Sequence, residues 1–188
     1  MRLNDLLKLA TVRRWHIVDV LKEQSVAEHS ASVAYIALEV IRRTESVDDI
    51  HMMSAMWWAL FHDAHEALLG DPPGNLKACP GISEIYNAMA GYYTPTIKNI
   101  EVSDEARIAV KIADLIESIR FIGKYGVATE GHLIEADLRD RLKEYAEKTV
   151  IYKETYESIL FEAVYGEATI VNVNDGSKER EGSLETRQ

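Results

Sequence analysis

The chain has 188 residues, 47% of them hydrophobic, a single cysteine and a formal charge of -10. That length fits one domain with a substantial buried core, and Cys79 alone cannot close an intramolecular disulfide, in keeping with a reducing compartment. The acidic balance excludes a grip on polymeric nucleic acid, which draws its strength from lysine and arginine on phosphates, but leaves room for a small anion neutralised by a metal and a few local bases.

No run of strict alternation marks a strand, whereas helical periodicity recurs along the chain. Leu3 to Val12 reads as a first short helix. Ser25 and Glu28 have capping-box spacing, and Val26, Val33, Ile36, Ala37 and Val40 then share one face, predicting a helix from about Val26 to Arg43. Asp48 or Asp49 caps the next, which runs to Leu69 and is stopped by Gly70, Pro72 and Pro73. Its apolar stretch, Ala55 to Phe61, is far too short to span a bilayer, and no apolar segment follows Arg13 and Arg14 as in a secretory leader, so no membrane partner and a cytoplasmic location are expected.

Beyond the loop from Gly70 to Gly81, a helix near Ile82 to Tyr92 precedes a break at Thr94-Pro95. Ser103 caps a stronger helix from Asp104 to Ile122, closed by Gly123, with Ile108, Ile112, Leu115, Ile119 and Ile122 on one stripe. Leu133 to Lys148 and Lys153 to Val164 supply two more. The expected fold is an all-α bundle of about six to eight helices with a site between them. The domain is expected over 1–167, with the polar stretch 168–188 as a mobile tail.

Chemistry concentrates in Trp57 to Asp71, where His62, Asp63 and Glu66 bring an imidazole and two carboxylates into the last two turns of a predicted helix. That combination suits a divalent metal and the water it activates. Two further ligand types stand elsewhere: His29 within Ser25-Val26-Ala27-Glu28-His29-Ser30, and Asp114 within Val110-Lys111-Ile112-Ala113-Asp114. Singly, each has a plainer explanation. An inward histidine on the face of Val26, Val33 and Ile36 needs only a carbonyl partner, a histidine near a helix C-terminus is favoured by the dipole, and Asp114, about 120° from its apolar stripe, has Lys111 as a surface partner.

Together, Arg14-Trp15, the Ser25-to-Ser30 segment, His62-Asp63-Ala64-His65-Glu66, Gly70-Asp71, Lys77 and Val110-to-Asp114 resemble the HD-domain phosphohydrolase superfamily over about Leu6 to Val164. The branch they are similar to holds bacterial 5'-deoxynucleotidases and the phage enzymes that strip triphosphate from dATP. The resemblance implies His29, His62, Asp63 and Asp114 as ligands of a divalent ion, with Zn, Co, Mn, Ni, Fe or Mg as candidates. It implies Asp71 at the sugar 3' hydroxyl and Arg14 and Lys77 at phosphate. Glu66, one turn beyond His62, is expected to orient the attacking water or carry its proton, while His65 stays outside the core site. Trp15 is expected against C2' of the sugar, leaving no room for a hydroxyl, and Ile17 beside the purine, where guanine carries an amine.

The expected substrate is a small deoxynucleotide, dATP first, giving deoxyadenosine and triphosphate. Around Lys77 stands one lysine and no cluster, so further cations fall to Lys111 or to neighbouring subunits of an expected homo-oligomer. Hydrolysis of deoxynucleoside monophosphates is the alternative within the class, and a non-catalytic regulatory binding module on the same fold the alternative outside it. Branches acting on signalling nucleotides fit less well, since Ala67 stands where an acidic partner of Glu66 is usual and Gly91-Tyr92-Tyr93-Thr94-Pro95 only loosely echoes a Gly-Tyr-Pro motif.

Overall fold

The computed structural model describes residues 2–44, 49–77, 79–93, 102–149 and 155–166. The expected tail, Asp48 and the Thr94-Pro95 break lie outside the described residues. In chain order come α1 (Leu3–Leu7) with a 3-10 turn (Lys8–Ala10), β1 (Arg13–Arg14), β2 (Gln24–Ser25), α2 (Val26–Arg42), α3 (Asp49–Phe61), α4 (Glu66–Leu69), α5 (Gly74–Lys77), α6 (Ile82–Tyr93), α7 (Asp104–Tyr125), α8 (Ala128–Glu147) and α9 (Thr155–Tyr165). Among the described residues six helices have 11 residues or more, so the all-α expectation stands. No described helix is long and apolar enough to cross a membrane.

The capping box at the start of α2 forms as the spacing predicts. The Glu28 amide donates to Ser25 Oγ at 3.2 Å and the Ser25 amide donates back to the Glu28 carboxylate at 2.8 Å, satisfying two orphan donors for about 1 kcal/mol. That start fixes His29 in the first turn, buried on the same face as Val26 and Val33. Helix α7 runs through the middle of the bundle, and its Ile112, Ile116, Ile119 and Ile122 meet Val33, Ala37, Val40 and Ile41 of α2, Ala55 and Ala59 of α3, Leu138 and Leu142 of α8 and Ile159 of α9. Alanines at Ala34, Ala37, Ala55, Ala59, Ala109 and Ala113 keep the contact faces of α2, α3 and α7 low. Close approach of these three backbones brings the first turn of α2, the end of α3 and the middle of α7 to one place.

Four expectations need correction. Helix α3 stops at Phe61, and residues 62–65 form a turn before α4. The amides of Ala64, Glu66 and Ala67 reach back three residues rather than four, at 2.9–3.2 Å, so the backbone tightens and His62 and Asp63 leave the helix. Second, α7 does not close at Gly123 but continues to Tyr125, with Gly126 at its end. A Cβ at Gly123 would lie 3.3 Å from the Glu135 carboxyl of α8, so that glycine admits a neighbour instead of stopping a helix.

Third, α8 begins at Ala128, ahead of the expected Leu133, because the chain turns straight back after Gly126. Fourth, β1 and β2 pair antiparallel, Arg13 with Ser25 and Arg14 with Gln24, a ladder of two residues too short to show as alternation. The loop between them hangs on the end of α7: Leu21 donates to the Tyr125 carbonyl at 2.8 Å and Val127 to that of Asp19 at 3.0 Å. These bonds satisfy part of the frayed helix end and hold Arg14, Trp15 and Gln24 against α7.

Candidate active site

Four side chains from three elements converge where α2, α3 and α7 meet. His29 Nε2 lies 3.3 Å from Asp114 Oδ1 and 3.8 Å from Asp63 Oδ2, and His62 Nε2 lies 3.2 Å from Asp63 Oδ2. Ligand atoms of His29, His62 and Asp114 all fall within 4.8 Å of one another. The far nitrogen of each ring is fixed. His62 Nδ1 donates to the Ala59 carbonyl at 2.7 Å and His29 Nδ1 to Glu117 Oε2 at 2.5 Å. A carbonyl or a carboxylate only accepts, so each Nδ1 carries a proton, that of His29 beside the Arg14 guanidinium as well, and each Nε2 turns toward the acidic oxygens.

Lone pairs facing lone pairs at 3.2–3.8 Å repel unless a positive charge sits among them. Accordingly His29 Nε2 and His62 Nε2 are buried with no hydrogen-bond partner, each a cost of about 1–3 kcal/mol if nothing answers it. With protein groups alone, burial pushes the His62 imidazole down, but Asp63 and then Asp114 outweigh it and hold the ring up at about 9. Burial opposes ionisation of Asp63, yet His62 and His29 hold it well below the usual carboxylate range. Asp114 is likewise opposed by burial and lowered by Lys111 and then the two histidines. Two imidazoles, once a cation takes the place of the His62 proton, and two ionised carboxylates are the donor set of a borderline divalent cation, and these residues fit one.

Asp114 meets both expectations at once, because Lys111 Nζ holds its Oδ2 at 2.8 Å while Oδ1 faces His29. Glu66, fully buried, receives Lys77 Nζ on Oε1 at 3.0 Å and leaves Oε2 without a partner. Burial and then Asp63 push its carboxyl up to about 9 despite the lysine. Lys77 also holds Asp71 Oδ1 at 3.0 Å, and although burial opposes its charge, Glu66, Asp63 and Asp71 keep the ammonium well above its ordinary range. Gly70, at φ +76°, turns the chain at the end of α4 so that Asp71 faces Lys77; a side chain there would be strained. His65 joins Asp63 and Glu66 in a second group of ligand atoms within 4.8 Å, but its ring packs edge-on to Tyr86 and burial lowers its pKa.

The residues expected at substrate divide. Lys77 is 41% exposed at the mouth of the cluster. Arg14 sits behind it, 12% exposed, with Nη1 against Gln24 Oε1 at 3.4 Å, Glu117 Oε2 at 3.3 Å and the Nδ1 side of His29. Only its other guanidinium nitrogens remain for phosphate. Trp15 lies half-buried, stacked on Phe121 at 6.2 Å, in a positive-φ conformation (59°) that costs a bulky residue of order 1–3 kcal/mol. Ile17 is 58% exposed, which rules out a core position for it.

Glu117 and Gln24 are the residues the sequence reading missed. Glu117 stands across α7 from its apolar stripe, one turn after Asp114 and beside Ile116 and Ser118, and is 1% exposed. A carboxylate buried there needs a partner.

Comparison with known proteins agrees with this geometry. Residues 3–90 match the model of a family described as 5'-deoxynucleotidase YfbR-like. The dATP triphosphohydrolase of Salmonella phage PMBT28 is 33% identical over 138 residues, which cover 68% of each chain. The 5'-deoxynucleotidase YfbR of Escherichia coli O1:K1 / APEC is 27% identical over 130 residues, 59% of this chain and 65% of that one. The HD phosphohydrolase DatZ of cyanophage S-2L, solved with dA and one catalytic Zn2+ ion, superposes with a TM-score of 0.78 at 23% identity, covering 90% of this chain and 96% of that one. The fold and these matches define an HD-domain phosphohydrolase, a hydrolase by class. Within it, the chain belongs to the branch that holds the phage dATP triphosphohydrolases and the 5'-deoxynucleotidases.

Proposed function

We propose that this chain is a divalent-metal-dependent phosphohydrolase of deoxynucleotides that converts dATP and water to deoxyadenosine and triphosphate. The observation that carries it is the meeting of His29 Nε2 and His62 Nε2, both buried without a hydrogen-bond partner, with the Asp63 and Asp114 carboxylates. The names of the two phage relatives, both dATP triphosphohydrolases, support the substrate, and the Zn2+ ion in DatZ supports the ion class.

His29, His62, Asp63 and Asp114 would hold the ion, which when bound supplies charge to a phosphoryl oxygen and lowers the pKa of a water. Glu66, one turn from the ligands with Oε2 unpartnered, orients the attacking water or shuttles its proton. Lys77 and the free nitrogens of Arg14 take phosphate oxygens, and Asp71 accepts from the sugar 3' hydroxyl. Trp15 walls off the 2' position and Ile17 lies beside the base. The domain is taken as 1–167, acting on the nucleotide pool of the cytoplasm of a bacterium or a phage-infected cell.

A homo-oligomer fits the exposed apolar side chains Met53, Trp57 and Leu60 of α3 and Ile82, Ile85, Met89 and Tyr92 of α6, each set on one helical stripe. Presence of all four ligand types argues against a purely regulatory module. The family model's description favours a second reading, hydrolysis of deoxynucleoside monophosphates. Metal analysis of the purified protein, then chromatography of early time points with dATP and dAMP, separates them. Deoxyadenosine with intact triphosphate supports the first reading. Turnover of dAMP alone selects the second, and dADP would place attack at the terminal phosphate and refute both.

A further inference from the structure

On the far side of His29 from the ligand cluster lies a polar group that the chemistry above leaves unused. Gln24 and Glu117 are 4% and 1% exposed. Gln24 Oε1 accepts from Trp15 Nε1 at 3.0 Å and from Arg14 Nη1 at 3.4 Å, while its amide nitrogen donates to Glu117 Oε1 at 2.6 Å. Glu117 Oε2 accepts from His29 Nδ1 at 2.5 Å and from Arg14 Nη1 at 3.3 Å. A continuous chain of hydrogen bonds therefore runs from the Trp15 indole to the His29 imidazole through two buried side chains.

Each link constrains the residue type. An uncharged amide presents an acceptor to the indole and a donor to the carboxylate at the same time, which no aliphatic side chain can do. A carboxylate offers two acceptor oxygens, one for Gln24 and one for His29, and so binds both in fixed directions. Trp15 itself sits at φ 59°, a conformation that a bulky side chain rarely adopts. Its indole is held by contacts outside its own backbone, among them the stack on Phe121, the bond to Gln24 and the Arg14 guanidinium 5.3 Å over the ring.

We propose that Gln24 and Glu117 act as a buried clamp that orients His29 and Trp15 together, so that metal affinity and the preference for deoxy- over ribonucleotides depend on the same pair. Both are positioning residues, acting through His29 and Trp15. The clamp rests on the reading of His29 as a metal ligand and of Trp15 as the wall at the sugar 2' position. Its signature is a pair of cross effects: a change beside the indole weakens the metal, and a change beside the metal ligand loosens sugar selection.

The test uses the full chain with Co2+ as probe. Gln24→Met removes all three hydrogen bonds of the side-chain amide, to Trp15, Arg14 and Glu117. Glu117→Gln leaves one acceptor oxygen where there were two, so either His29 or Gln24 loses its partner. Trp15→Phe removes the indole N–H with its bond to Gln24 and also shortens the ring. Co2+ affinity by chelator competition, the visible spectrum of bound Co2+, and kcat and KM for dATP and ATP are read on each, with circular dichroism checking the fold.

Gln24→Met and Glu117→Gln are both expected to weaken Co2+ about 10–100-fold, the usual scale for a partner behind a ligating histidine, and to shift its visible bands. Both are also expected to narrow the ratio of dATP to ATP turnover at least about tenfold, through KM for ATP. Trp15→Phe is expected to narrow that ratio, leave Co2+ affinity native, and have a smaller effect on the ratio in the Gln24→Met background than alone. If Gln24→Met does not fold, Glu117→Gln carries the cross effect on sugar selection by itself. Native Co2+ affinity in Gln24→Met, an unchanged dATP to ATP ratio in Glu117→Gln, or additive losses in the double variant would overturn the clamp while the parent still binds Co2+ and prefers dATP. A parent that binds no Co2+ overturns the site reading, and the clamp with it.

Discussion

Lys77 Nζ lies 3.0 Å from Glu66 Oε1 and 3.0 Å from Asp71 Oδ1, so one ammonium bridges a fully buried carboxylate and a nearly buried one. The reach is short because Pro72 and Pro73 fix the turn that leads into α5, and the first bonds of α5 run to the Pro73 carbonyl. Lys77→Met leaves buried Glu66 beside Asp63 and Asp71 without the ammonium that answers them. Unfolding by urea should show a loss of about 1–3 kcal/mol, the cost of an unsatisfied buried acceptor. Turnover should fall with a raised KM, since Lys77 is also the exposed cation at the mouth of the site. Native stability together with native KM would show that the bridge is not made in solution.

Glu66→Gln tests the proton carrier apart from the ion. The amide keeps the size of the side chain and can still accept from Lys77, and the four proposed ligands are untouched. A rate loss of roughly two to four orders of magnitude with full metal content is expected, the scale of a general acid or base. A loss under about tenfold would make Glu66 a bystander. His62→Ala or Asp63→Ala should instead remove metal and turnover together, because ligands of one ion act as a unit.

Acid should weaken the ion pairs of Glu39. Glu39 of α2 accepts from Arg42 at 2.6 and 2.8 Å and from Arg43 at 2.6 Å, and Arg43 reaches on to Glu162 of α9. The Arg42 bond, working against partial burial and joined by Arg43, holds the carboxyl at about 2 instead of its ordinary 4.5. The folded-state value is the lower one, so ionised Glu39 stabilises the fold above about pH 4.5 and the contribution fades as pH falls toward 2. Glu39→Gln should therefore lower Tm at neutral pH, and the gap to the parent should close in the acid range. A gap that stays constant with pH would mean the ion pairs contribute nothing.

Most of the helices were legible because apolar stripes and caps are local signals: Ser25 with Glu28, and Ser103 before Asp104, mark starts that the structure keeps. The break at residues 62–65 was not, since Trp57 to Leu69 reads as one apolar helical run and only packing against α2 and α7 decides that the backbone tightens at His62. The positions His29, His62, Asp63 and Asp114 were legible as residue types, and their convergence required the fold. Gln24 and Glu117 escaped because 93 residues separate partners whose joint meaning is a single hydrogen bond. Gly123 misled for a physical reason: a glycine that admits a neighbouring carboxyl looks, in sequence, like one that ends a helix.

The segment Arg14 to Ile17 carries the last prediction. Trp15 is fixed by Gln24 and Phe121 with its ring half-buried, whereas Ile17 is exposed beyond the ladder and has no packing role that its loss would disturb. If Ile17 lies beside the purine, a branched apolar side chain fills the space where guanine carries its amine and offers that amine no partner. An unpaired amine costs about 1–3 kcal/mol, up to roughly a hundredfold in preference. Ile17→Ala should then gain dGTP relative to dATP, with thermal stability within about 0.5 kcal/mol of the parent, as for most surface changes. Trp15→Ala should gain ATP relative to dATP and lose stability, because the stack on Phe121 goes with it. Competition assays with dATP, dGTP and ATP in one mixture read both ratios directly. An equal loss on all three substrates in both variants would remove this segment from base and sugar selection and leave it a purely structural part of the ladder.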